Sequence, residues 1–543
     1  MNYPSPLEIF YKWEKEKPND VFLSQPINGV WHNWTFKQVG LEVRKMAAYI
    51  QSLGFDDKSK IGIISKNCAH WVMSDLAIML SGNVSVPLYP NLNKESLNQI
   101  LLHSETKFLF IGKLDKFELI KDGVPNTIEC VTFPFYSEDY PIWDEVIKDV
   151  DPIKDDIIIP IKDLASIIYT SGTTGDAKGV MHSFFNFSFA TVNASKSLGI
   201  SSKEVFFSYL PLSHVAERLL IEFCCLYNGG KICFAESLET FADNLSSVSP
   251  TVFLGVPRIW TKFQQAILLK IPQKKLDFLL NIPFISTLIK RKIKNNLGLS
   301  RSKNTFTGAA PTPTSTLEWF ARLGINIQEA YAMTENTCYS HATLKENIKI
   351  GYIGPALPFC EVRLSDRNEI LIKHDALMLG YYKDAKQTNE MIKDGWLYTG
   401  DEGVIDNGFI KITGRVKDLF KTSKGKYIAP SPIEMKLSEN KNIEQVCVVG
   451  STLTQPIAII VTSEIGRKLN SKDLYNSLKL TLDSVNNTLE KHELLHNLIV
   501  VKDIWTIENQ LLTPSMKIKR NSIEKKYSDN YQKWYEANRI LIN

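Results

Sequence analysis

The chain has 543 residues, of which 44% are hydrophobic and 22% are charged, values typical of a globular protein with two to four domains. Its formal net charge of +4 is too small to indicate a nucleic-acid partner, and we expect none. The sequence lacks a basic leader followed by an apolar stretch, a run of eighteen apolar residues, a CxxC pair and a zinc-type His/Cys spacing, so we expect a cytoplasmic protein with reduced thiols.

Short apolar runs alternate with amphipathic segments along most of the chain. The segment GLEVRKMAAYIQSLG at 40–54 predicts a helix, and four runs bounded by Gly or Pro predict buried strands: IGIIS, FLFIG, KICFA and TVFLGV. Alternation of this kind predicts an α/β fold with a largely parallel sheet.

The segment YTSGTTGDAKGV at 169–180 follows a predicted strand at 165–168. Its backbone N–H groups and the hydroxyls of Ser171, Thr173 and Thr174 are suited to binding an anion. It is not the nucleotide-triphosphatase loop GxxxxGK[ST], because Lys178 follows Ala177 and no Ser or Thr comes directly after the lysine. The alternative is a solvated turn.

A basic segment spans residues 262–294. It holds eight Lys or Arg residues and one acid, interleaved with apolar groups and broken by two prolines. One interpretation is a solvated basic face on helices that pack inward. The other is a peripheral contact with an anionic membrane on the cytoplasmic side.

Four later stretches carry polar groups that core packing does not explain: EAYAMTEN (329–336), WLYTGDEG (396–403), TGRVKDLFKTSKGKYIAP (413–430) and LTPSMKIKR (512–520). A turn signal, Asp406-Asn407-Gly408, comes after the second of them. Beyond it the strands are shorter and the intervening helices are charged. We therefore predict an N-terminal domain at 1–414 and a C-terminal domain at 415–543.

Together with the 169–180 segment, these stretches resemble the adenylate-forming superfamily of acyl-CoA synthetases, peptide-synthetase adenylation domains and luciferases. Within it, YLPLSHVAER, VPRIWTKF, TGAAPTP and KGKYIAPSPIE look most like long-chain fatty-acid CoA ligases. The resemblance implies an α/β fold with a large multi-layer N-terminal domain of mixed sheets. It also implies a small, mobile α+β C-terminal domain that carries a catalytic lysine.

The implied reaction converts a fatty acid and ATP to acyl-AMP and pyrophosphate, and then transfers the acyl group to CoA. A carboxylate is a poor electrophile, so its oxygen must first become a leaving group, and the protein must orient the reactants and neutralise phosphate charge. ATP, Mg²⁺ and CoA are the implied cofactors and co-substrates. Two alternatives stay open: transfer to a carrier-protein phosphopantetheine, and a non-catalytic nucleotide-binding protein on the same scaffold.

The resemblance also assigns catalytic and phosphate-binding residues. Lys517 would bridge the carboxylate and the α-phosphate, and Thr173 and Glu335 would act in catalysis by binding Mg²⁺. The loop residues would hold the β- and γ-phosphates: Ser171, Gly172, Thr173, Thr174, Gly175 and Lys178.

The remaining assignments concern the nucleotide, the acyl group and CoA. Gly308, Ala309, Ala310 and Tyr331 would frame the adenine, with the Tyr331 ring stacked on the base. The other nucleotide contacts would be Thr334, Asp401 on the ribose hydroxyls, and Arg415 on ribose or α-phosphate. The acyl and CoA contacts would be His214, Lys417, Lys421 and Tyr427.

Three positions depart from the family pattern. Ala332 stands where many relatives carry Gly, Met516 replaces the Gly that usually precedes the catalytic lysine, and Asp176 stands where Pro or Glu is common. None of these departures removes a functional group, so we expect activity to be retained.

Overall fold

The computed structural model describes residues 3–136, 140–171, 177–507, 509–513, 516–537 and 539–542. Its helices, in chain order, are α1 Pro6–Glu16, α2 Phe36–Ser52, α3 Ala69–Leu80, α4 Lys94–Ser104, α5 Trp143–Val146, α6 Phe184–Ser197, α7 Val215–Glu217, α8 Cys224–Asn228, α9 Phe241–Val248, α10 Pro257–Lys270, α11 Gln273–Leu280, α12 Ile285–Asn296, α13 Thr314–Arg322, α14 Ala385–Met391, α15 Pro430–Leu437, α16 Glu464–Arg467, α17 Ser471–Asn486, α18 Arg520–Tyr527 and α19 Tyr531–Tyr535.

The strands, in chain order, are β1 Val21–Ile27, β2 Val30–Thr35, β3 Lys60–Ile64, β4 Val84–Leu88, β5 Thr106–Ile111, β6 Glu129–Thr132, β7 Leu164–Ser171, β8 Ala177–Ser183, β9 Val205–Ser208, β10 Lys231–Phe234, β11 Val252–Leu254, β12 Asn304–Thr307, β13 Ile327–Tyr331, β14 His341–Ala342, β15 Glu361–Leu364, β16 Glu369–Lys373, β17 Gly380–Tyr381, β18 Ile392–Lys393, β19 Trp396–Asp406, β20 Phe409–Arg415, β21 Phe420–Lys421, β22 Tyr427–Ile428, β23 Ile443–Val449, β24 Ile457–Thr462, β25 Leu498–Val500 and β26 Ile540–Ile542. The helix predicted at 40–54 corresponds to α2, which begins four residues earlier and ends two residues earlier. The four predicted strands correspond to β3, β5, β10 and β11.

Two large mixed sheets form the N-terminal part. The first has the order β14-β13-β12-β11-β9-β10-β1-β2 and is parallel from β13 to β1, with antiparallel strands at both edges. The second has the order β17-β8-β7-β4-β3-β5-β6 and is parallel from β7 to β6. The α/β prediction is confirmed.

Helix α3 joins the two sheets into one core. All twelve of its residues are buried, and it packs against β1 of the first sheet and β3 of the second. Most of its side chains are apolar, and a helix of this kind is stable when other elements surround it, which accounts for its position in the middle of the domain.

A third, antiparallel sheet follows, with the order β15-β16-β19-β18 and with β20 paired to β19. Asn407 (φ 51°) and Gly408 (φ 81°) form the two-residue turn between β19 and β20. Two consecutive positive φ values favour the turn type that suits the twist of a hairpin. The turn predicted from Asp406-Asn407-Gly408 is therefore present.

The C-terminal part has its own four-stranded sheet, β23-β24-β25-β26. Helices α15 and α17 pack on one face through Leu437 and Leu478, and α18 and α19 pack on the other through Ile523 and Trp534. This arrangement confirms a large N-terminal domain with a small additional domain. No helix among the described residues has the length and apolar character needed to cross a membrane.

Candidate active site

Several predicted site residues follow parallel strands of the first sheet. His214 comes after β9, Gly308 to Ala310 come after β12, and Tyr331 ends β13. Because β9, β11, β12 and β13 are neighbouring parallel strands, their carboxyl ends meet at one edge, where ligands of α/β proteins commonly bind. A Cβ on Gly308 would lie 3.0 Å from the carbonyl oxygen of Ala330, so glycine permits this close approach of the two segments.

A cluster of three polar side chains joins the first sheet to the third. Tyr331 donates a 2.8 Å hydrogen bond from its hydroxyl to Oδ2 of Asp401, and Nε of Arg415 lies 3.0 Å from Oδ1 of the same carboxylate. Asp401 and Arg415 are direct cross-strand partners on β19 and β20. Both carboxylate oxygens are therefore held in place, and each keeps a lone pair that can accept a further hydrogen bond.

The same contacts shift the ionisation of the cluster. Burial raises the pKa of Tyr331 well above its ordinary value, and the Asp401 charge raises it further. The Asp401 charge is also the main cause of the raised pKa of Arg415, which burial opposes. Tyr331 stays neutral and Arg415 stays charged, so the cluster presents a fixed pattern of donors and acceptors.

Glu335 joins the first sheet to the second. It lies in a 3₁₀ turn, Thr334–Asn336, and both Thr334 and Glu335 are buried. The hydroxyl of Tyr381 donates a 2.7 Å hydrogen bond to Oε1 of Glu335. Tyr381 belongs to β17 and pairs with Val180 of β8. The Glu335 carboxylate is thus positioned by β17, which pairs with β8, the strand that leaves the predicted phosphate loop.

Lys178 occupies the same region. Its ammonium donates to Oε1 of Gln387 at 2.9 Å and lies 5.4 Å from the centre of the Tyr381 ring. A cavity of about 380 Å³ opens beside these groups and is also lined by His103 and Tyr382.

The predicted phosphate loop connects two antiparallel strands, with Thr170 of β7 opposite Lys178 of β8. Gly172, Thr173, Thr174 and Gly175 lie outside the described residues, as does the departure at Asp176, and the side chain of Ser171 is also not described. Their assigned roles stay predictions.

Lys517 lies in a short loop closed by its own backbone. The Thr513 N–H donates to the Lys517 carbonyl at 2.7 Å, the Lys517 N–H donates to Oγ1 of Thr513 at 3.0 Å, and Leu512 bridges to Ile518. Met516 has φ +63°, the left-handed conformation that glycine adopts without strain. The family preference for glycine at this position therefore has a physical reason, which this chain overrides.

The Lys517 side chain lies within electrostatic range of several of the charged groups described above. It is accessible to solvent, yet protein surrounds it closely enough that desolvation lowers its pKa. The Arg415 charge lowers this pKa further, whereas Asp401 and Glu335 raise it. Burial and, second, the Lys517 charge lower the pKa of His214 to about 3, so the imidazole is neutral. The Lys517 ammonium is therefore within electrostatic range of Asp401, Arg415, Glu335 and His214, and we call these five residues the Lys517 site.

The family models for AMP-binding enzymes and for the AMP-binding enzyme C-terminal domain match residues 10–382 and 417–539, respectively. The chain belongs to the AMP-binding enzyme family. Glu335 lies in the first match and Lys517 in the second, whereas Asp401 and Arg415 lie in the segment between the two matches.

Curated relatives of this AMP-binding enzyme include three proteins named for acyl-CoA synthesis. Fatty acyl-CoA synthetase A of Dictyostelium discoideum is 29% identical and is aligned over 91% of this chain and 85% of its own length. Long chain acyl-CoA synthetase 5 of Arabidopsis thaliana is 29% identical and is aligned over 98% of this chain and 93% of its own length. Long-chain-fatty-acid–CoA ligase 5 of Rattus norvegicus is 29% identical and is aligned over 93% of this chain and 85% of its own length.

Solved structures show the same fold at low identity. An anthranilate CoA ligase in complex with anthranoyl-AMP has a TM-score of 0.81 at 19% identity and covers 98% of both chains. The A-PCP didomain of a carboxylic acid reductase from Segniliparus rugosus has a TM-score of 0.82 at 18% identity, covering 99% of this chain and 82% of that one. The overall architecture of this AMP-binding enzyme is therefore that of known adenylate-forming proteins.

Three residues assigned to CoA make only local contacts among the described residues of this AMP-binding enzyme. Lys421 and Tyr427 are cross-strand partners on β21 and β22, with the Lys421 ammonium 5.7 Å from the centre of the Tyr427 ring. Lys417 and Tyr427 are exposed. Their assigned roles stay predictions.

Two features of the site were not predicted from the sequence. Tyr381 was not predicted, because its role depends on the pairing of β17 with β8, which lie about two hundred residues apart. Tyr331 was expected to stack on a base, and the structure adds a hydrogen bond from its hydroxyl to Asp401. The stacking itself stays a prediction.

Proposed function

We propose that this AMP-binding enzyme activates a long-chain fatty acid with ATP, giving acyl-AMP and pyrophosphate, and then transfers the acyl group to CoA. The observation that carries the proposal is that Asp401, fixed by Tyr331 and Arg415, lies within electrostatic range of the Lys517 ammonium. Support for a long-chain acid comes from relatives whose names specify such substrates.

Each of these side chains suits one part of the first half-reaction. The Lys517 ammonium is a compact charge that can contact the attacking carboxylate and the α-phosphate together, so it stabilises the negative charge that builds between them. Asp401, fixed by Tyr331 and Arg415, accepts hydrogen bonds from ribose and so orients the α-phosphate toward the acid. His214, the residue assigned to the acyl group, is neutral and adds no competing charge.

Glu335 fits the requirements of a magnesium ligand. Magnesium bound with ATP prefers one or two protein carboxylates plus phosphate oxygens and water, and Glu335 offers a positioned oxygen donor. With Thr173, it would hold Mg²⁺, which when bound neutralises phosphate charge.

The second half-reaction needs a different arrangement of the C-terminal domain, because a thiol must reach the carbonyl that Lys517 contacts. We place the hinge at Arg415, Val416 and Lys417, which lie between the third sheet and the C-terminal elements. Rotation there would remove Lys517 and bring Lys421 and Tyr427 toward CoA. The acceptor could also be a carrier-protein phosphopantetheine, which presents the same thiol arm.

We also propose a cytoplasmic location with a peripheral membrane contact through residues 262–294. All eight cysteines are free thiols, which is typical of a reducing compartment. The membrane contact is argued in the next subsection.

The proposal is tested by ATP-dependent pyrophosphate release with carboxylic acids from acetate to oleate, each with CoA, with holo-carrier protein, or without an acceptor. We expect the highest kcat/KM with long acids, and thioester formation with free CoA. A preference for short or aromatic acids would refute the substrate class, and thioester formation on carrier protein alone would refute the acceptor.

A further inference from the structure

Helices α10, α11 and α12 form a surface layer with a buried inner face. Trp260 and Ile267 of α10, Leu276 of α11 and Ile293 of α12 pack into one core cluster. These inward contacts explain why the three helices pack against the domain. They do not explain the side chains on the outer face of the layer.

The outer face carries large apolar side chains in contact with solvent. Leu269 is 80% exposed, Phe278 66%, Phe284 86% and Leu288 66%. Of the 21 large hydrophobic residues exposed in the described part of the chain, five fall between 269 and 288 and the others are spread over the rest. A local concentration of this kind marks an interaction surface rather than the scattered exposure that monomers tolerate.

Cations flank these apolar groups at helical spacing. Phe278 lies one turn from Lys274 and Lys275, and Leu288 lies one turn from Arg291 and Lys292. The one acid of the segment, Asp277, pairs with Arg322 at 2.5 Å. Among the described residues no carboxylate is within ion-pair distance of those four cations, so their charge faces outward uncompensated.

Phe284 is the most exposed of the apolar groups and has an unfavourable backbone. It directly precedes α12 with φ +66°, a conformation rare for a bulky residue. It follows Pro283 and is the last of the four residues, 281–284, that connect α11 to α12. Folding energy alone does not account for a strained aromatic residue at an exposed tip, because burial gives it no stabilisation.

We propose that the outer face of α10–α12 docks on an anionic phospholipid bilayer, with Phe278, Phe284 and Leu288 entering the interfacial region and the flanking cations contacting lipid phosphates. Aromatic and leucine side chains beside Lys and Arg are the composition that binds this interface. A second copy of the chain fits less well, because a two-fold contact would set the same positive faces against each other. A solvated basic face would not require the exposed aromatic groups.

The surface has a consequence for the reaction, and this part rests on the proposed function. Long-chain acids partition into bilayers, so an enzyme held at the membrane meets a higher local concentration of substrate. The docking itself is independent of the substrate, and it is testable without ATP or acid.

Co-sedimentation with vesicles tests the docking directly. Wild-type protein should bind phosphatidylglycerol vesicles at low salt, bind phosphatidylcholine vesicles weakly, and release as salt rises. Changing Lys290, Arg291, Lys292 and Lys294 to Gln should weaken binding roughly 25-fold or more, if half of these charges engage and each contributes about fivefold. Changing Phe278, Phe284 and Leu288 to Ser should weaken it roughly tenfold or more while salt sensitivity remains.

Matched controls lie elsewhere on the chain. Leu238→Ser with Leu480→Ser removes comparably exposed apolar groups (81% and 72%). Changing four exposed lysines to Gln removes the same number of cations as the basic variant: Lys472, Lys479, Lys491 and Lys502. Both controls should bind vesicles like wild type. Wild-type protein that stays in the supernatant, or controls that lose binding as strongly as the α10–α12 variants, would overturn the proposal.

Two further readouts separate the outcomes. Light scattering without lipid should give the same mass for wild type and the serine variant; a smaller mass for the variant with no change in vesicle binding would make the surface a contact between copies.

Turnover of soluble hexanoate should be unchanged in every variant. If vesicle binding behaves as expected and no fatty acid is activated, the proposed function fails while the docking surface stands.

Discussion

The hydroxyl of Tyr381 donates a 2.7 Å hydrogen bond to Oε1 of Glu335, joining the edge of the second sheet to the turn that follows β13. This contact fixes the carboxylate assigned to magnesium, and it gives Tyr381 a positioning role. Burial and the Glu335 charge raise the pKa of Tyr381, so it remains a donor throughout the working pH range.

Tyr381→Phe should therefore weaken use of the magnesium–ATP complex. A hydrogen bond to a charged group contributes about 1.5–3 kcal/mol, which predicts a roughly 10- to 100-fold lower kcat/KM for ATP and a higher magnesium concentration for half-maximal rate. Tyr382→Phe is the matched control, since the Tyr382 hydroxyl bonds to the exposed Glu105. Equal magnesium dependence in both variants would refute the positioning role.

Met516→Gly should stabilise the C-terminal domain. Met516 adopts φ +63° directly before Lys517, and left-handed backbone costs a non-glycine residue about 1 kcal/mol. Denaturant unfolding should show a gain of about that size for glycine, whereas Met516→Ala, which keeps the strain, should stay within about 0.5 kcal/mol of wild type. A glycine variant less stable than wild type would contradict the strain argument.

Lys417→Pro tests the hinge. Proline fixes φ near −65° and should hold the domains in one arrangement, so adenylation persists while transfer to CoA falls by orders of magnitude. Lys417→Ala is the control, because it removes the same side chain and leaves the backbone free. Wild-type rates of both half-reactions in the proline variant would place the hinge elsewhere.

Periodicity and turn signals predicted much of the fold. The apolar runs at β3 and β5 identify buried parallel strands, and the Asn407-Gly408 pair identifies a hairpin. The site residues were predicted from the resemblance to the adenylate-forming superfamily. The partners that fix them, such as Tyr381, could not be predicted, because contacts between strands of different sheets depend on tertiary packing and leave no local pattern.

The surface of α10–α12 shows a second limit. The sequence gives the charges and the apolar groups of 262–294, but periodicity alone does not say which apolar side chains face the core. Leu276 and Phe278 are two residues apart on α11, yet Leu276 is fully buried and Phe278 is 66% exposed. Only the packing against α13 and the first sheet decides between them.

Glu42→Gln should change the pH dependence of stability. Burial and the Asp144 charge raise the pKa of Glu42 to about 7 from its ordinary 4.5, and Trp143 donates to its carboxylate. Between these pH values the folded protein keeps the proton that the unfolded chain releases, so this group lowers stability as pH rises through the window. The free energy of unfolding of Glu42→Gln minus that of wild type should increase by about 1–3 kcal/mol from pH 4.5 to 7 and stay constant above pH 7. Exposed Glu16→Gln should show no such window, and a flat difference for Glu42→Gln would refute the burial argument.

The most direct test of the account is the separation of the two half-reactions in Lys517→Ala. Single-turnover acyl-AMP formation from ATP and palmitate should fall roughly 100- to 1000-fold or more, because a preorganised charge contact is lost, while thioester formation from supplied palmitoyl-AMP and CoA should stay near the wild-type rate. Lys519→Ala, two residues away in the same basic turn, should retain both rates. Equal loss of both half-reactions in Lys517→Ala, or an adenylation rate close to that of wild type, would contradict the role of Lys517 on which the proposed function rests.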